Sequence, residues 1–381
     1  MIRLKMAGEI VHKVKCILYL LCVFFLSASC SGNKAVNGGF DNSLDAVITG
    51  YNEFTCAELN ITMEEMKSAG FVPGDILSVS IGGEVLELPY HTGFFTRIGE
   101  MLVVDYPTYA HTVITASTTG LSKKFQELTG QHITLRLKEK GGAAAIETAL
   151  GRTYSNDRSE YSGDAEFANA RMVGTTGMAK GRLYRSASPF DNQFGRAPFV
   201  SAYLREQGVK TVLDLSDDEK KIRTYDELPE HSRLLIESGN VIFCKVNTNY
   251  RSDDFNARLI AGLMEMSSRP APYVIHCTEG KDRTGYVCAL LEALAGASYE
   301  EIAADYLVTY RNYFGITPEN NPSECKMLLS LRLNDALMYY CDITDESRLG
   351  MINLRDAVSR YLLNHNMTRN QLDDLVRALC E

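Results

Sequence analysis

The sequence predicts an α/β protein with a parallel-type central sheet flanked by helices, preceded by a smaller β-rich N-terminal domain. In the C-terminal part, short apolar strand-like segments alternate with segments whose apolar residues recur at helical spacing. In the N-terminal part, alternating apolar segments flank Gly82-Gly83, a pair typical of hairpin turns. A polar stretch that is poor in large aliphatic residues begins at Gly151 and predicts a domain boundary near residue 160.

The first 30 residues have the pattern of a targeting signal. A basic stretch precedes the uncharged run from Cys16 to Leu26, which is too short to span a bilayer as a helix. The small residues before Cys30 resemble the lipobox of bacterial lipoproteins, whose cysteine is lipidated, although Leu26 lies four residues before Cys30 where three is usual. We therefore expect residues 1–30 to be a lipoprotein signal peptide. A plain secretory signal or an uncleaved anchor are the alternatives.

The lipobox implies an extracytoplasmic, membrane-anchored lipoprotein, on the periplasmic side or at the cell surface. A flexible tether from Ser31 and a β-rich domain are predicted over 31–160. This domain carries no constellation of histidine, cysteine or acidic residues that suggests chemistry. The chemistry is expected in the C-terminal domain, 161–381, where strands and helices alternate before an almost entirely helical end.

Charge and cysteine usage exclude several classes of function. A net charge of −9 without a long basic stripe argues against nucleic acid as a partner. Any anionic ligand must therefore be attracted locally, because the protein as a whole repels it. The seven cysteines after Cys30 show no CxxC pair and no regular spacing, so the sequence predicts neither a metal site nor a disulfide framework.

One stretch, "VIHCTEGKDRTGYVCALL", combines a buried-type strand, a polar loop and an apolar helix. The strand brings Cys277 to the carboxyl edge of the sheet, where ligands bind in open α/β sheets. The helix begins near Arg283, and its N-terminus carries unpaired amides and a partial positive charge. Gly280 permits an unusual backbone dihedral between them.

These features predict a cup for a tetrahedral oxyanion. Successive N–H groups of the short loop can converge on one point, and a guanidinium can add two parallel donors. The predicted phosphate-binding residues are Thr278, Glu279, Gly280, Lys281, Asp282 and Arg283.

The same surroundings are expected to activate the sulfur beneath the cup. A helix N-terminus and nearby cations lower the pKa of a cysteine from ~8.5 to between ~3.5 and ~7.5. Cys277 would then be a thiolate in line with the phosphorus of a phosphomonoester. Thr284 is placed to donate its hydroxyl to this sulfur, and His276 to orient the loop through hydrogen bonds.

The loop "HCTEGKDRTG" resembles the Cys-x5-Arg signature of protein tyrosine phosphatases, and in particular the bacterial tyrosine/dual-specificity group with the pattern HCxxGKDRTG. "GRLYRSASP" is similar to the GRLYRSG stretch of that group. "TVLDLSDDE" is similar to its VIDLRxxxE segment, with Ser216 in place of the usual arginine, whereas "FANARMVG" departs from its NFRDLGG opening. The resemblance covers roughly Glu166 to Glu381 and implies the cysteine-phosphatase fold for this part of the chain.

The resemblance implies a two-step hydrolysis without cofactor or metal. Cys277 attacks phosphorus and forms a phosphocysteine, an acid protonates the leaving oxygen, and water then releases phosphate. Arg283 and the loop amides stabilise the transferred phosphoryl group. In the bacterial group the aspartate before the arginine is the favoured acid, which corresponds to Asp282. Asp253 and Asp254 are the alternatives.

The expected partner is a phosphorylated protein, and Lys281 makes a phosphoinositide or inositol phosphate a second candidate. A catalytically silent phosphate-binding module, which keeps the fold but lacks the acid, is the main alternative function. A rhodanese-type sulfurtransferase also uses a cysteine loop, although the GKDRTG continuation argues against it. Neither the oligomeric state nor the physiological substrate follows from the sequence.

Overall fold

The computed structural model describes residues 42–225 and 227–381. The predicted signal peptide, Cys30 and most of the predicted tether lie outside the described residues. By contacts, residues 42–381 form one compact unit. The division at residue 160 therefore stays a prediction. Within the described ranges, no helix combines the length and apolar character needed to cross a membrane.

The β-rich character of the N-terminal region is confirmed, and its strands close into a barrel in the order β1-β2-β6-β5-β4-β3-β7. The seven strands are β1 Ser43–Tyr51, β2 Ala57–Leu59, β3 Ile76–Ile81, β4 Glu84–His91, β5 Met101–Val104, β6 Val113–Ala116 and β7 His132–Glu139. The predicted hairpin joins β3 to β4, with positive φ at both Gly82 and Gly83. Closure pairs β1 with β7, so the apolar faces of the strands enclose one core.

Two short helices belong to the barrel region. The helix α1 (Met63–Ser68) begins with a capping box in which Thr62 and Glu65 bind each other's backbone. The segment "AAAIETAL", which is rich in residues of high helix propensity, forms α2 (Ala144–Leu150).

The C-terminal part contains a five-stranded sheet in the order β11-β10-β12-β9-β8. Its strands are β8 Arg171–Met172, β9 Leu183–Ser186, β10 Thr211–Asp214, β11 Val241–Phe243 and β12 Tyr273–His276. Four strands run parallel and β8 pairs antiparallel with β9 at one edge. Because β12 lies between β10 and β9, the residue that follows it emerges at the centre of the carboxyl edge.

Helices cover the sheet and fill the C-terminal end. The loop at residues 277–281, called here the signature loop, separates two groups of helices. Those before it are α3 Asp164–Phe167, α4 Ala197–Glu206, α5 Glu219–Ile222, α6 Glu230–Glu237 and α7 Asp253–Ser267. Those after it are α8 Asp282–Ala295, α9 Tyr299–Phe314, α10 Pro322–Leu328, α11 Asn334–Cys341, α12 Leu354–Asn364 and α13 Arg369–Cys380. A π-helical turn, Leu329–Leu333, joins α10 to α11.

The helix α8 is the centre of this packing. Every residue from Thr284 to Ala295 is buried, because α8 packs against the sheet on one side and against later helices on the others. It ends at Gly296, whose left-handed φ of 111° provides a C-terminal cap of the kind that glycine after an apolar helical segment indicates. A helix with no free face is rigid, so its N-terminus is a fixed support for the loop that precedes it.

Candidate active site

The loop of five residues between β12 and α8 begins with Cys277 and ends with Lys281. The Cys277 side chain is 3% exposed and packs at the boundary of the main apolar core. Its position follows from the local sequence. The buried strand β12 ends at His276, one residue before Cys277, and the helix α8 begins at Asp282. The predicted strand–loop–helix arrangement is therefore present.

Three carbonyl groups of the loop accept hydrogen bonds from residues outside the loop. Ser188 N donates to the carbonyl oxygen of Thr278 at 3.1 Å, and Tyr313 Oη donates to that of Glu279 at 2.7 Å. Asn169 Nδ2 and Arg185 Nη2 both donate to the carbonyl oxygen of Gly280, at 3.3 and 3.2 Å. In a trans peptide the N–H group points opposite to the carbonyl. The N–H groups of these peptides consequently point away from their outer partners, as an anion-binding nest requires.

Gly280 allows the loop to bend tightly. Its φ is +68°, and a Cβ atom there would lie 2.3 Å from the carbonyl oxygen of Ser186. Both the dihedral and the close approach exclude a side chain. This is the backbone role that the sequence predicts for the residue.

Arg283 is held by the ends of two neighbouring strands. Its Nη1 donates to the carbonyl oxygens of Leu215 and Val246, each at 3.2 Å, and its Nη2 donates to Thr278 Oγ1 at 3.2 Å. Leu215 follows β10 and Val246 lies shortly after β11. Among the described residues, three of the five N–H groups of Arg283 thus have partners. The N–H of Nε and the second N–H of Nη2 can donate to two oxygens of a ligand.

His276 and Thr284 flank the loop and are fully buried. His276 Nδ1 lies 3.3 Å from the carbonyl oxygen of Cys277, while its Nε2 lies 3.8 Å from Asp214 Oδ2, too far for a strong hydrogen bond. Thr284 Oγ1 has no hydrogen-bond partner in the described part of the chain. A buried hydroxyl without a partner is available to the sulfur or to a ligand.

Lys281 and Asp282 form an ion pair beside the loop. Lys281 Nζ donates to Asp282 Oδ2 at 2.7 Å, and it lies 3.9 Å from Glu279 Oε2. Burial opposes the charge of the amine, but the carboxylate of Asp282 outweighs it and raises the pKa of Lys281. Burial likewise favours protonated Asp282, yet Lys281 and Arg332 outweigh it and lower the pKa of this carboxyl. Asp282 is therefore ionised in the resting protein.

The alternative acids, Asp253 and Asp254, lie in the exposed first turn of α7. Asp254 Oδ1 accepts a hydrogen bond from Arg258 Nε at 2.8 Å. Of the three proposed carboxylates, Asp282 is the one that lines the cleft next to the loop.

Sequence reasoning passed over Asp217, which follows β10 at the same edge of the sheet and is 8% exposed. Burial and the neighbouring Asp214 raise the pKa of Asp217, and Tyr225 Oη donates to it at 3.1 Å. A charged segment, "SDDEKK", gave no signal that one of its members is buried.

Asp305, the carboxylate at the centre of a polar network behind the loop, was also not predicted, although the sequence suggested that Arg185 fixes the loop or a nearby carboxylate. Arg185 Nη1 donates to Asp305 Oδ2 at 2.6 Å, and Arg171 Nε donates to Asp305 Oδ1 at 2.9 Å. Burial alone would raise the pKa of Asp305, but the two guanidinium groups outweigh it and lower this pKa to about 2. Asn169, with φ of +48°, donates to the carbonyl oxygens of Glu279 and Gly280. "FANARMVG" contains two of these residues, Asn169 and Arg171, in the N-x-R spacing of the NFRDLGG motif, and the differences at other positions hid their role.

Glu279 does not extend freely into solvent. Its Oε1 accepts a hydrogen bond from Tyr154 Oη at 2.5 Å, and the Tyr154 ring stacks on Tyr313 with centroids 4.6 Å apart. The carboxylate is thus held by a tyrosine from the segment that precedes the sheet.

Comparison with known proteins gives one sequence-family match. The sequence model described as "Tyrosine phosphatase family" matches residues 166–381, more than half of the chain. None of the curated proteins matches the sequence.

Solved structures show weaker likenesses. P. aeruginosa TpbA in complex with pTyr is 18% identical over 47% of this chain and 87% of its own, with a TM-score of 0.27. The Siw14 catalytic core is 18% identical over 51% and 96%, with a TM-score of 0.27. An uncharacterized conserved protein from Thermotoga maritima is 17% identical, with a TM-score of 0.23, and this chain spans 41% of its length. At such scores, membership rests on the sequence match.

Proposed function

The chain belongs to the tyrosine phosphatase family, and from this membership and the geometry of the loop we propose that it hydrolyses phosphate monoesters through a phosphocysteine on Cys277. The observation that carries the proposal is the position of Arg283. Two strand-end carbonyls and Thr278 hold its guanidinium, and two N–H donors stay available for phosphate oxygens.

In the first step, the sulfur of Cys277 attacks phosphorus as a thiolate and the bond from phosphorus to the leaving oxygen breaks. The loop amides and Arg283 bind the non-bridging oxygens, where charge redistributes during transfer. Asp282 gives a proton to the leaving oxygen. Thr284, whose buried hydroxyl has no partner among the described residues, donates to the sulfur when the sulfur leaves in the second step.

In the second step, Asp282 takes a proton from water, and the resulting oxygen nucleophile attacks phosphorus. The sulfur–phosphorus bond breaks, and inorganic phosphate and the Cys277 thiolate are released. His276 acts as a positioning residue through the carbonyl of Cys277. A phosphorylated protein or an inositol phosphate both satisfy this chemistry.

The low pKa of Asp282 supports the silent phosphate-binding module as a second candidate. An acid that is ionised in the resting protein donates no proton until its surroundings change. A bound phosphate dianion supplies such a change, because a nearby negative charge favours the protonated carboxyl. Turnover is thus compatible with the resting state, but it depends on this shift.

Hydrolysis of 4-nitrophenyl phosphate by the wild type and by Cys277→Ser tests the proposal. We expect turnover in the wild type and none in the variant. Trapping of a phosphorylated Cys277 by rapid acid quench and mass spectrometry would identify the intermediate. Tight phosphate binding without turnover in the wild type would instead establish the silent phosphate-binding module. Turnover of thiosulfate would establish a sulfurtransferase.

We also propose that the protein is anchored outside the cytoplasm through lipid on Cys30. The uncharged run and the small residues before that cysteine support this location. Metabolic labelling with an alkynyl fatty acid, in wild type and Cys30→Ala, tests it. Label in both proteins, or in neither, would contradict the proposal.

A further inference from the structure

A cleft of about 900 Å³ begins at the signature loop and is bounded on its other side by the barrel. From the loop and the helices that follow, its lining includes Lys281, Asp282, Tyr286, Tyr310, Phe314 and Arg332. From the barrel, its lining includes Phe54, Phe94, Phe95, Tyr106 and Tyr109. The loop side therefore carries charged residues together with three aromatic rings. The barrel side, called here the aromatic wall, combines five aromatic rings with four threonines and Glu53.

The aromatic wall is unusual because it is open to solvent. The ring centroid of Tyr106 lies 5.7 Å from that of Phe94 and 5.3 Å from that of Tyr109. Phe54 is 62% exposed and Tyr106 is 39% exposed, although rings of this size are normally covered. Exposed apolar rings that border a concave site are typical of ligand-binding surfaces.

Arg332 fixes this wall in relation to the loop. It extends from the π-helical turn and donates to the carbonyl oxygens of Phe94 and Thr96, each at 2.9 Å. Nearby, Arg97 Nη2 donates to Ser330 Oγ at 3.1 Å. The charge of Arg332 also helps to lower the pKa of Asp282, after the larger effect of Lys281. The π-helical turn is thus joined to the barrel by direct hydrogen bonds, and its arginine acts electrostatically on the candidate acid.

We propose that the barrel is the second wall of the substrate site and binds the leaving group of phosphate monoesters that carry a large aromatic body. This inference rests on the proposed hydrolytic function. It assigns substrate selection to a part of the chain outside the matched family region, which begins at residue 166.

The size and chemistry of the cleft favour this occupant. Ligand sites have volumes of roughly 300–1,000 Å³, so about 900 Å³ exceeds what one phenyl ring fills. Offset and edge-on contacts with rings stabilise an aromatic ligand, whereas an inositol ring presents hydroxyl groups that need polar partners. Eight aromatic rings belong to the cleft lining, so an aromatic ester has ring contacts available that an inositol phosphate does not use.

The test compares a large and a small ester of the same phosphate. For wild type and for Phe54→Ala/Tyr106→Ala, kcat/KM is measured with biphenyl-4-yl phosphate and phenyl phosphate. We expect the double variant to lower the ratio of the two values by about tenfold, the factor that 1.4 kcal/mol of lost contact produces. The loss should lie in KM, because these rings are remote from the reacting phosphorus.

Met351→Ala is the matched control, since Met351 is a large apolar side chain that is 82% exposed and does not belong to the cleft lining. It should leave the ratio unchanged. An unchanged ratio in the double variant would overturn the role of the barrel, as would a barrel-dependent preference for inositol phosphate over biphenyl-4-yl phosphate.

Measurements of ligand binding test this inference independently of the proposed hydrolysis. In Cys277→Ser, calorimetry should show tighter binding of biphenyl-4-yl phosphate than of phenyl phosphate, with the difference reduced by Phe54→Ala/Tyr106→Ala. If the wild type turns over neither ester but this difference is present, the hydrolytic proposal fails and the cleft assignment stands. If turnover is present and the difference is absent, the cleft assignment fails alone.

Discussion

Arg185 and Asp305 form a buried ion pair, with Arg185 Nη1 donating to Asp305 Oδ2 at 2.6 Å, directly behind the signature loop. The other nitrogen, Arg185 Nη2, reaches the carbonyl oxygen of Gly280. The loop is thereby connected through one guanidinium to a carboxylate on α9. The proposed anion cup is therefore supported from outside the loop as well as by the residues of the loop.

Replacement of Asp305 by Asn should be strongly destabilising. Two guanidinium groups, Arg171 and Arg185, would lose their carboxylate, and breaking a buried pair costs about 3–5 kcal/mol. The free energy of unfolding from urea titration measures the effect. Asp374→Asn is the matched control, because Asp374 pairs with Arg377 on an exposed helix face and should cost less than about 1 kcal/mol. Equal costs in the two variants would contradict the buried role.

Gly280→Ala should lower both stability and activity. The positive φ alone costs about 1–2 kcal/mol for an L residue, and the new Cβ would also clash with the carbonyl oxygen of Ser186. Gly239 has the same φ of +68°, and a Cβ atom added there would meet no other atom within 4 Å, so Gly239→Ala isolates the dihedral cost. Thermal unfolding and 4-nitrophenyl phosphate hydrolysis of both variants separate strain from clash. Retained activity in Gly280→Ala would refute the close approach.

Asp282→Asn should affect poor leaving groups most. General acid catalysis contributes about 10²–10⁴-fold, so kcat for phenyl phosphate should fall by about 10² or more. The loss with 4-nitrophenyl phosphate should be smaller, because nitrophenolate leaves without full protonation. Asp254→Asn serves as the control, since Asp254 is exposed and paired with Arg258. If Asp217→Asn instead shows the leaving-group dependence, the acid is Asp217.

Glu292 should make the stability of the protein decline as pH rises. It is 1% exposed, and burial, reinforced by Asp305, raises its pKa in the folded protein. Because the pKa of Glu292 is higher in the folded protein, its contribution to the free energy of unfolding is fully present below about pH 4.3, the pKa of a glutamate in an unfolded chain. Above that value the unfolded state releases a proton that the folded state keeps, so the contribution is lost by up to about 1.4 kcal/mol per pH unit.

The measurement is the free energy of unfolding of wild type and Glu292→Gln between pH 4 and pH 8. The difference should move in favour of the variant as pH rises, because Gln does not ionise. Glu265→Gln, at an exposed site on α7, should show no such trend. A pH-independent difference for Glu292→Gln would mean that the folded protein ionises this carboxyl readily.

Local patterns predicted much of the candidate site. Cys277 and Arg283 lie within seven residues, so their strand, loop and helix could be recognised without any knowledge of the rest of the chain. The cap at Gly296 and the hairpin at Gly82-Gly83 are likewise local, since each depends on the backbone freedom of glycine. Closure of the barrel was not predicted, because the pairing of β1 with β7 joins residues almost 90 positions apart.

The parts of the site that escaped prediction are all long-range. The carbonyl oxygens of Leu215 and Val246 bind Arg283. Every residue type has a backbone carbonyl, so the sequence does not show which ones bind a side chain. Asn169 supports the loop from a distance of 110 residues in a segment that departs from the resembled motif. The aromatic wall was missed because its rings come from separate loops of the barrel, so no single stretch of sequence shows them together.

The π-helical turn at Leu329–Leu333 makes the proposed substrate selection sensitive to the number of residues in this segment. Such a turn holds one residue more than the corresponding α-helical turn, and each helical residue advances the helix by roughly 100°. Deleting one residue after Arg332 would leave that arginine in place but rotate α11 and everything beyond it. Deleting one before it would turn Arg332 away from Phe94 and Thr96 and detach the aromatic wall. A single-residue deletion before Arg332 in this turn is therefore expected to weaken the proposed selection of substrate by the barrel.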